Sequence, residues 1–375
     1  MHIGIDGNLL CGEKTGMGMV AFSILKNWTI DDSTVKITIF VPEDLDSDFT
    51  KQLNEKRIRI VKCGKANYFK WEQFVLPRIS KEYKIDVLWS PYNTAPLKAH
   101  CPIVVTVHDV IYMSLKLSSV HSLYKKAGAI YRKLVVPKAV KKAKKIITIS
   151  NYAKNSICKY FPIAEEKIQV IYNSTDISGQ SLNEMEKKNF FSKNRICKPY
   201  ILGFGSRESR KNTMGLIKAY DMLDRKIKEA YQLVLFGFRG FEKSNEYKYI
   251  KDKHIKNIVM LSYVSEKEKN SLYKNSMMFV FPSLSEGFGI PILEAYYNET
   301  PVVASNTTAI PEVAGDAAIL IDPMNLDELS KAMMSVLSDS KKQTLMKNKG
   351  KSRLEKFSWK QTAEDVMQLL KSSVS

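Results

Sequence analysis

The chain has 375 residues, of which 44% are hydrophobic and 26% are charged. That composition excludes a disordered chain, and the length favours two globular domains over a single core. No apolar run reaches the roughly 18 residues that a membrane-spanning helix needs, and residues 1–5 begin a strand rather than a signal peptide. The five cysteines are scattered without a CxxC pair, which is typical of a reducing cytosol and not of a disulfide framework or a zinc site.

Strands and helices alternate through the first 175 residues. Segments that read as strands lie at residues 2–6, 35–41, 86–90, 103–107, 146–149 and 168–173. Apolar residues at helical spacing lie between several of them, for example at 20–28 and 71–77. This alternation predicts βαβ units and a parallel sheet, so residues 1–175 are expected to form one α/β domain.

A glycine loop, residues 7–18, separates the first strand from the first helix. It ends with Gly16 and Gly18. Backbone amides at such a junction can bind an anion, because they lack partners and the helix dipole adds to their charge. A turn without a ligand explains these glycines equally well, so both interpretations stay open.

His108 directly follows the strand at 103–107. Ligands of open α/β sheets bind at the carboxyl ends of strands, which favours a functional histidine at this position. The alternative is a histidine that only caps a turn.

Basic residues are concentrated between residues 110 and 164, an interval with twelve lysines and arginines and no acidic residue, in a chain of formal net charge +19. Within it, residues 118–145 read as one or two helices. Apolar residues partly at helical spacing are Tyr124, Ile130, Tyr131, Leu134 and Val135, and the cations among them are Lys125, Lys126, Arg132 and Lys133. Such a helix can lie in the interface of an anionic membrane, or it can bury its apolar stripe and expose a basic back.

Residues 176–198 are polar, show no strong period and read as a linker. Further strands are predicted at 200–204, 232–236, 258–261, 278–281, 301–304 and 317–322. The first of them leads into a loop with Ser206, Arg210 and Lys211, and a helix begins at Thr213. Basic side chains at a loop–helix junction suit a diphosphate, and a solvated basic turn is the alternative.

The segment 278–306 carries the most specific motif. After its strand, the chain reads Ser283-Leu284-Ser285-Glu286-Gly287-Phe288-Gly289-Ile290-Pro291, with Glu294-Ala295 on the helix that follows. Proline favours the first helical position, and the free amides beside the glycines form an anion site. Glu294 can then accept hydrogen bonds from ribose hydroxyls while Glu286 faces a sugar. The alternative is that Glu294 is only a solvated helix residue and Glu286 only an N-cap.

These residues resemble the signature of the family-4 retaining glycosyltransferases of the GT-B fold. The resemblance covers nearly the whole chain and is strongest over residues 200–322. It implies an α/β architecture of two Rossmann-like domains whose parallel sheets face each other across a cleft. Residues 176–355 would bind the nucleotide-sugar donor, residues 1–175 the acceptor, and a helix in 356–375 would return to the first domain.

The resemblance also assigns roles to residues. His108, Glu286 and Lys211 are expected to be catalytic. The expected donor-binding residues are Gly16, Gly18, Ser206, Arg210, Lys211, Tyr263, Val264, Gly287, Phe288, Gly289, Ile290 and Glu294. Ser206 stands where many members have an arginine, which leaves Arg210 or Arg207 to compensate. Asn298-Glu299 replaces a small residue and a glycine, and Asn298 is expected to supply any positive φ that the turn needs.

The function that the resemblance implies is transfer of a hexose from a nucleotide-diphosphate sugar to a glycan or lipid-linked glycan, with retention and without a metal. GDP-mannose is the expected donor and surface-polysaccharide assembly the expected setting. The expected location is the cytoplasm, with association to an anionic membrane through Lys125, Lys126, Arg132 and Lys133. A nucleic-acid-binding protein, suggested by the charge, lacks a recognition motif. A Rossmann oxidoreductase lacks the G-x-G-x-x-G fingerprint, and no cofactor is expected.

Overall fold

The computed structural model describes residues 1–12, 16–30, 32–114, 123–175 and 179–374, without the side chains of Ser114 and residues 123–125. The chain forms two compact units, Met1–Asn173 with Ser358–Ser375 and Ser174–Phe357. The boundaries read from the sequence followed residues 175 and 355, and those of the units follow Asn173 and Phe357.

Each unit is built on one parallel sheet, which confirms the predicted α/β fold of two Rossmann-like domains. The first has the strands β1 His2–Asp6, β2 Lys36–Val41, β3 Ile58–Lys62, β4 Val87–Ser90, β5 Ile103–Thr106, β6 Lys145–Thr148 and β7 Ile168–Val170. The second has β8 Tyr200–Phe204, β9 Gln232–Phe236, β10 Ile258–Leu261, β11 Met278–Phe281, β12 Val302–Ser305 and β13 Ala318–Ile321.

The strand orders are β3-β2-β1-β4-β5-β6-β7 and β10-β9-β8-β11-β12-β13. In both sheets the order reverses once, between β1 and β4 and between β8 and β11. Loops at the carboxyl ends of these strand pairs diverge to opposite sides, which leaves a crevice for a ligand. Two such switch points therefore exist, one in each unit.

The helices cover these sheets. They are α1 Met17–Asn27, α2 Ser47–Glu55, α3 Tyr68–Lys70, α4 Leu76–Glu82, α5 Ile111–Ser114, α6 Leu123–Lys142, α7 Asn151–Tyr160, α8 Glu184–Lys193, α9 Thr213–Asp221, α10 Arg225–Ala230, α11 Asn245–Asp252, α12 Glu266–Lys274, α13 Ile290–Tyr297, α14 Ile310–Ala314, α15 Leu326–Leu337, α16 Ser340–Leu354 and α17 Trp359–Ser372. A π-helical segment, Trp71–Val75, joins α3 to α4. None of the helices in the described ranges is long and apolar enough to cross a membrane.

Helix α17 is part of the first unit. The Trp28 indole N–H donates to the carbonyl of Ala363 at 2.8 Å, and the Thr362 hydroxyl donates to the carbonyl of Tyr172 at 2.7 Å. Both contacts join residues far apart in sequence, so the C-terminal helix completes the core around α1.

The segment predicted as a linker contains a helix, so that prediction was wrong. Helix α8 begins with a capping box, in which Asn183 accepts from the Glu186 amide and Glu186 accepts from the Asn183 amide. None of the residues of α8 is fully buried, and the segment has no clear apolar stripe in the sequence. The capping pair was the signal available in the sequence.

The turn after α13 also differs from the prediction. Asn298 has an ordinary φ of −88°, and Glu299 has the positive φ, at 52°. The residue after the C-cap of a helix is the one that commonly turns left-handed, and here that residue is Glu299. An exposed glutamate therefore occupies a backbone conformation that glycine adopts without strain.

We expect Glu299→Gly to stabilise the protein by about 1 kcal/mol, because glycine relieves the strain of the left-handed conformation. The midpoint of thermal unfolding of the second unit should rise by roughly 2–4 °C. Glu299→Ala keeps a Cβ and serves as the control. An equal rise in both variants would mean that the carboxylate, and not the backbone, is the source of strain.

Candidate active site

Predicted donor residues gather at the switch point of the second sheet. The loop after β8 contributes Arg210 and Lys211, and the loop after β11 contributes Glu286. The Lys211 ammonium lies 2.6 Å from Glu286 Oε1, and Arg210 Nη1 lies 2.9 Å from Oε2. The Glu286 side chain is only 10% exposed. Three residues predicted from two separate motifs thus form one ion network around a buried carboxylate.

Backbone and hydroxyl contacts fix this network. The Ser283 hydroxyl lies 2.5 Å from Glu286 Oε1, and the amide of Glu286 donates to the Thr308 hydroxyl at 3.1 Å. The amide of Leu284 donates to the carbonyl of Arg210 at 2.7 Å. The loops after β8 and β11 are therefore tied together through their backbones as well as through charge.

Lys211 lies in an aromatic and partly apolar setting. Its ammonium is 5.1 Å from the ring centre of Phe204 and 5.2 Å from that of Phe281, within the range of a cation–π contact. Burial lowers the pKa of the Lys211 ammonium, and the Glu286 carboxylate opposes that effect. The carboxylate thus helps to hold the positive charge at this place.

Helix α13 starts immediately after the network. Gly289 precedes it with φ 127°, and Pro291 occupies the first turn. The Phe288 side chain is buried and packs edge-on against Phe357 at 5.8 Å, so only the backbone of Phe288 can serve a ligand. The first amides and the dipole of α13 form a positive end beside Glu286.

The two arginines of the loop after β8 have different partners. Arg210 reaches Glu286, whereas Arg207 Nη2 lies 3.5 Å from the carbonyl of Lys243. Of the two candidates for the missing family arginine, Arg210 is therefore the one in the network. The amide of Ser206 donates to the Thr213 hydroxyl at 3.0 Å, which anchors the start of the loop to α9.

Glu294 lies on α13 and is held by two residues that sequence reasoning missed. Lys269 Nζ is 2.7 Å from Oε1, and the Tyr273 hydroxyl donates to Oε2 at 3.1 Å. Both partners come from α12, one helical turn apart. That spacing was visible in the sequence, but their common partner is a long-range contact.

Tyr263 and Val264 follow β10, the edge strand of the second sheet. Two strand spacings, roughly 10 Å, separate β10 from β8. Tyr263 is 69% exposed, with the Arg239 guanidinium 6.0 Å from its ring centre. Tyr263 and Val264 therefore lie at the carboxyl ends of the strands, as the network does, but two strands away from it.

His108 lies at the switch-point side of the first sheet, after β5. It is 5% exposed, its amide donates to Asn93 Oδ1 at 2.7 Å, and its Nε2 is 2.9 Å from the carbonyl of Pro91. Burial lowers the pKa of the imidazole, which favours the neutral ring. A neutral ring that donates from Nε2 keeps a lone pair on Nδ1. His108 is thus oriented as a hydrogen-bond acceptor.

A buried polar cluster beside it was missed by sequence reasoning. The Glu72 carboxylate accepts from the hydroxyls of Thr94 and Tyr131 and from Gln73 at 2.7 Å. Asp6, at the end of β1, accepts from the Trp71 indole at 2.8 Å. The only sequence signal was an aspartate that ends a buried strand.

Asp6 is fully buried, and its Oδ2 has no hydrogen-bond partner among the described residues. Burial raises the pKa of Asp6 to about 7, against the hydrogen bonds from Trp71 and Asn8. The folded protein therefore binds a proton here more tightly than the unfolded chain, whose aspartate has its ordinary pKa of 3.8. The stability that this proton confers is full below about pH 4 and is lost as the pH rises through 7.

We expect Asp6→Asn to remove this pH dependence. Between pH 4 and 7 the free energy of unfolding of the wild type should fall relative to that of the variant, by on the order of a few kcal/mol. Chemical denaturation across this pH range measures the slope, which is independent of any constant cost of the amide. The exposed Asp48→Asn is the control. Parallel curves for wild type and Asp6→Asn would contradict the proton assignment.

The two predicted loop glycines have different surroundings. Gly16 has φ 50° and open space where a Cβ would lie. A Cβ on Gly18 would meet the carbonyl oxygen of Leu9 at 2.4 Å. Close packing of α1 on the preceding turn is therefore sufficient to require Gly18. The role of both glycines at the donor stays a prediction.

Helix α6 has apolar residues both in the core and at the surface, so parts of both interpretations of this helix apply. Val135 is buried in the core, and the Tyr131 hydroxyl contacts the buried Glu72, so these two do not face solvent as an interfacial helix would need. Ile130 and Leu134 are exposed. Arg132 lies over the ring of Tyr112 at 5.6 Å. Lys126 and Lys133 are partly exposed, and the side chains of Tyr124 and Lys125 lie outside the described part of the chain.

No group of three or more histidine, cysteine, aspartate or glutamate side chains suited to a metal occurs in the described part of the chain.

Two family models match the chain. Residues 16–178 match Glycosyltransferase Family 4, and residues 185–353 match Glycosyl transferases group 1. Each match lies almost wholly within one of the two compact units.

Curated relatives and solved structures agree with these matches. O-antigen chain mannosyltransferase B of Escherichia coli is 25% identical, over 92% of this chain and 93% of that protein. O-antigen chain mannosyltransferase RfbU of Salmonella typhimurium is 30% identical, over 62% and 59%. Anabaena Alr3699/HepE in complex with UDP-glucose has the same fold, with a TM-score of 0.72 and 18% identity over 99% and 100%. WaaG, a glycosyltransferase involved in lipopolysaccharide biosynthesis, gives 0.72 and 14% over 98% and 99%.

Proposed function

Because one glycosyltransferase model matches each of its two domains, the chain belongs to the GT-B glycosyltransferases of family 4, and we propose that it is a metal-independent, retaining mannosyltransferase. The donor would be GDP-mannose and the acceptor a glycan or lipid-linked glycan of a surface polysaccharide. The names of the two O-antigen mannosyltransferases support this choice of sugar and setting. Retention rests on the family alone.

The observation that carries the proposal is the buried network of Lys211, Arg210 and Glu286. When the sugar leaves, negative charge grows on the nucleotide diphosphate. Lys211, Arg210 and the first amides of α13 are positive groups fixed before the reaction, which is how a site stabilises developing charge without reorganisation. This set can take the place of a divalent cation.

Other residues complete the donor site in this proposal. Glu294 accepts hydrogen bonds from the ribose hydroxyls, and the backbone at Tyr263 and Val264 borders the base. Glu286 faces the transferred sugar, with its position fixed by Ser283 and Lys211. In the first unit, His108 offers an acceptor lone pair on Nδ1 to a substrate hydroxyl, and its depressed pKa keeps it neutral.

A donor panel tests the proposal. Nucleotide release from GDP-, UDP- and dTDP-sugars should be fastest with GDP-mannose and should survive EDTA. Lys211→Ala should lower turnover by about two orders of magnitude, because it removes a charge aimed at the departing diphosphate. Arg207→Ala, which removes an arginine of the same loop that points elsewhere, should have little effect. Near-normal turnover of Lys211→Ala would refute the role of the lysine, and strong inhibition by EDTA would refute metal independence.

We further propose that the first unit binds an anionic membrane surface that presents a lipid-linked acceptor. Four exposed apolar residues form an apolar patch, namely Phe69 (52%), Phe74 (61%), Ile130 (45%) and Leu134 (61%). Phe69 is 5.7 Å from Phe74 and 5.9 Å from Tyr131 between ring centres, which joins the two segments. Exposed Lys70 directly follows Phe69 in the chain, and exposed Lys138 lies about one helical turn after Leu134 on α6, in the half of the chain with the acid-free interval.

An apolar patch with a basic rim suits an anionic leaflet, since the rings enter the headgroup region while lysines meet phosphate. Each lysine near such a surface contributes roughly 1 kcal/mol. The patch replaces part of the helix face read from the sequence, because Tyr131 and Val135 are turned inward.

Flotation with liposomes measures the association. Binding should require phosphatidylglycerol, weaken as salt rises, and fall by tenfold or more in Lys70→Glu/Lys138→Glu, at roughly 1 kcal/mol or more per reversed charge. Phe69→Ser/Phe74→Ser should weaken binding at every salt concentration. Lys188→Glu/Lys193→Glu on α8 changes the net charge equally and is the control. A wild type that ignores anionic vesicles at low salt would exclude the membrane surface and favour a soluble acceptor.

A further inference from the structure

Glu294 is held from one side by two residues of α12. Lys269 Nζ contacts Oε1 at 2.7 Å, and the Tyr273 hydroxyl donates to Oε2 at 3.1 Å. The side chains of Lys269 and Glu294 are each 16% exposed, and Tyr273 is fully buried. The carboxylate is therefore clamped at both oxygens, and its orientation is set by α12 rather than by its own helix.

Each partner uses one lone pair of the carboxylate. An ionised carboxylate has about four lone-pair sites, two on each oxygen. After Lys269 and Tyr273 are satisfied, each oxygen keeps one acceptor site. One remaining acceptor site on each oxygen of the carboxylate matches two hydroxyls on neighbouring carbons, as in the 2′,3′-diol of a ribose.

We propose that Lys269 and Tyr273 are positioning residues that make Glu294 a selector of ribonucleotide over 2′-deoxyribonucleotide donors. The proposal rests on the ribose role of Glu294 and adds how that role acquires its selectivity. A carboxylate with a free χ3 rotor could turn to satisfy a single hydroxyl. A clamped carboxylate cannot, so loss of the 2′-hydroxyl leaves one buried acceptor without a donor.

The surroundings of Lys269 and Tyr273 keep both side chains protonated. Burial by itself lowers the pKa of Lys269, but Glu294 and Glu266 outweigh it, so the pKa lies above its ordinary value. Burial, together with the Glu294 charge, raises the pKa of Tyr273 well above its ordinary value. Lys269 also contacts Glu266 at 2.9 Å, so the lysine has a second carboxylate partner. Lysine and tyrosine both remain donors at any pH at which the enzyme would work.

Calorimetric binding of GDP, 2′-deoxy-GDP, UDP and 2′-deoxy-UDP to the full-length protein tests the proposal. We expect the wild type to prefer the ribose form of the base that it binds by tenfold or more, since loss of the 2′-hydroxyl leaves one acceptor site of the carboxylate without its donor. Lys269→Met and Tyr273→Phe should each reduce that preference several-fold. Lys269→Arg should restore most of it, and Lys274→Met, at the exposed end of α12, should leave it unchanged.

Kinetics with the nucleotide-sugar give a second readout. Lys269→Met should raise KM for the donor while kcat stays within about twofold, since the clamp acts on donor binding and not on the departing diphosphate. An unchanged ribose preference in Lys269→Met, with both forms bound more weakly, would overturn the clamp and leave a purely structural ion pair. An unchanged preference in Glu294→Gln, or none in the wild type, would overturn the ribose role itself, and with it the clamp. Binding of none of the four nucleotides would refute the proposed donor class.

Discussion

One buried carboxylate sets the arrangement of the second unit's switch point. Glu286 has left water, and a charge in that position is tolerated only if it is paired and hydrogen-bonded. Lys211, Arg210 and Ser283 meet that need from two different loops. Breaking such a pair by removing one partner typically costs roughly 3–5 kcal/mol. The loops after β8 and β11 are therefore not independent, and their relative position is part of the fold.

A buried ion pair is a poor device for stability alone, because desolvation offsets most of its Coulombic gain. It is well suited to a site that must hold cations ready for an anion. Lysine has three donors and arginine five, so Glu286, together with Glu208 at 2.8 Å from Arg210, does not exhaust them. Phe204 and Phe281 flank the Lys211 ammonium and limit its access to water, which strengthens its interaction with charge nearby.

In the first unit a short buried loop, residues 91–96, holds several segments in place, as Glu286 does in the second unit. Its members contact the ends of three different segments. Pro91 and Asn93 hold His108, the Thr94 hydroxyl meets Glu72, and the Tyr92 hydroxyl accepts from the amide of Leu9 at 3.1 Å. The loop after β4 thus sets the position of the histidine and of the turn that precedes α1. A change in this loop would reach both places at once.

The sequence by itself determined the fold class and the division into two α/β domains, and it predicted the donor motif. Alternating strand and helix patterns are local, and the glycines, proline and glutamates of 283–294 are contiguous in the chain. It also predicted roles for Lys211 and His108, because each stands where a strand or loop ends. Only the tertiary structure decided the partners of Glu286 and Glu294, the buried Asp6 and Glu72, and which face of α6 meets water. These depend on contacts between residues distant in the chain, which no local pattern encodes. The tertiary structure also decided that Glu299 has the positive φ, since the exact end of helix α13 determines which residue turns left-handed.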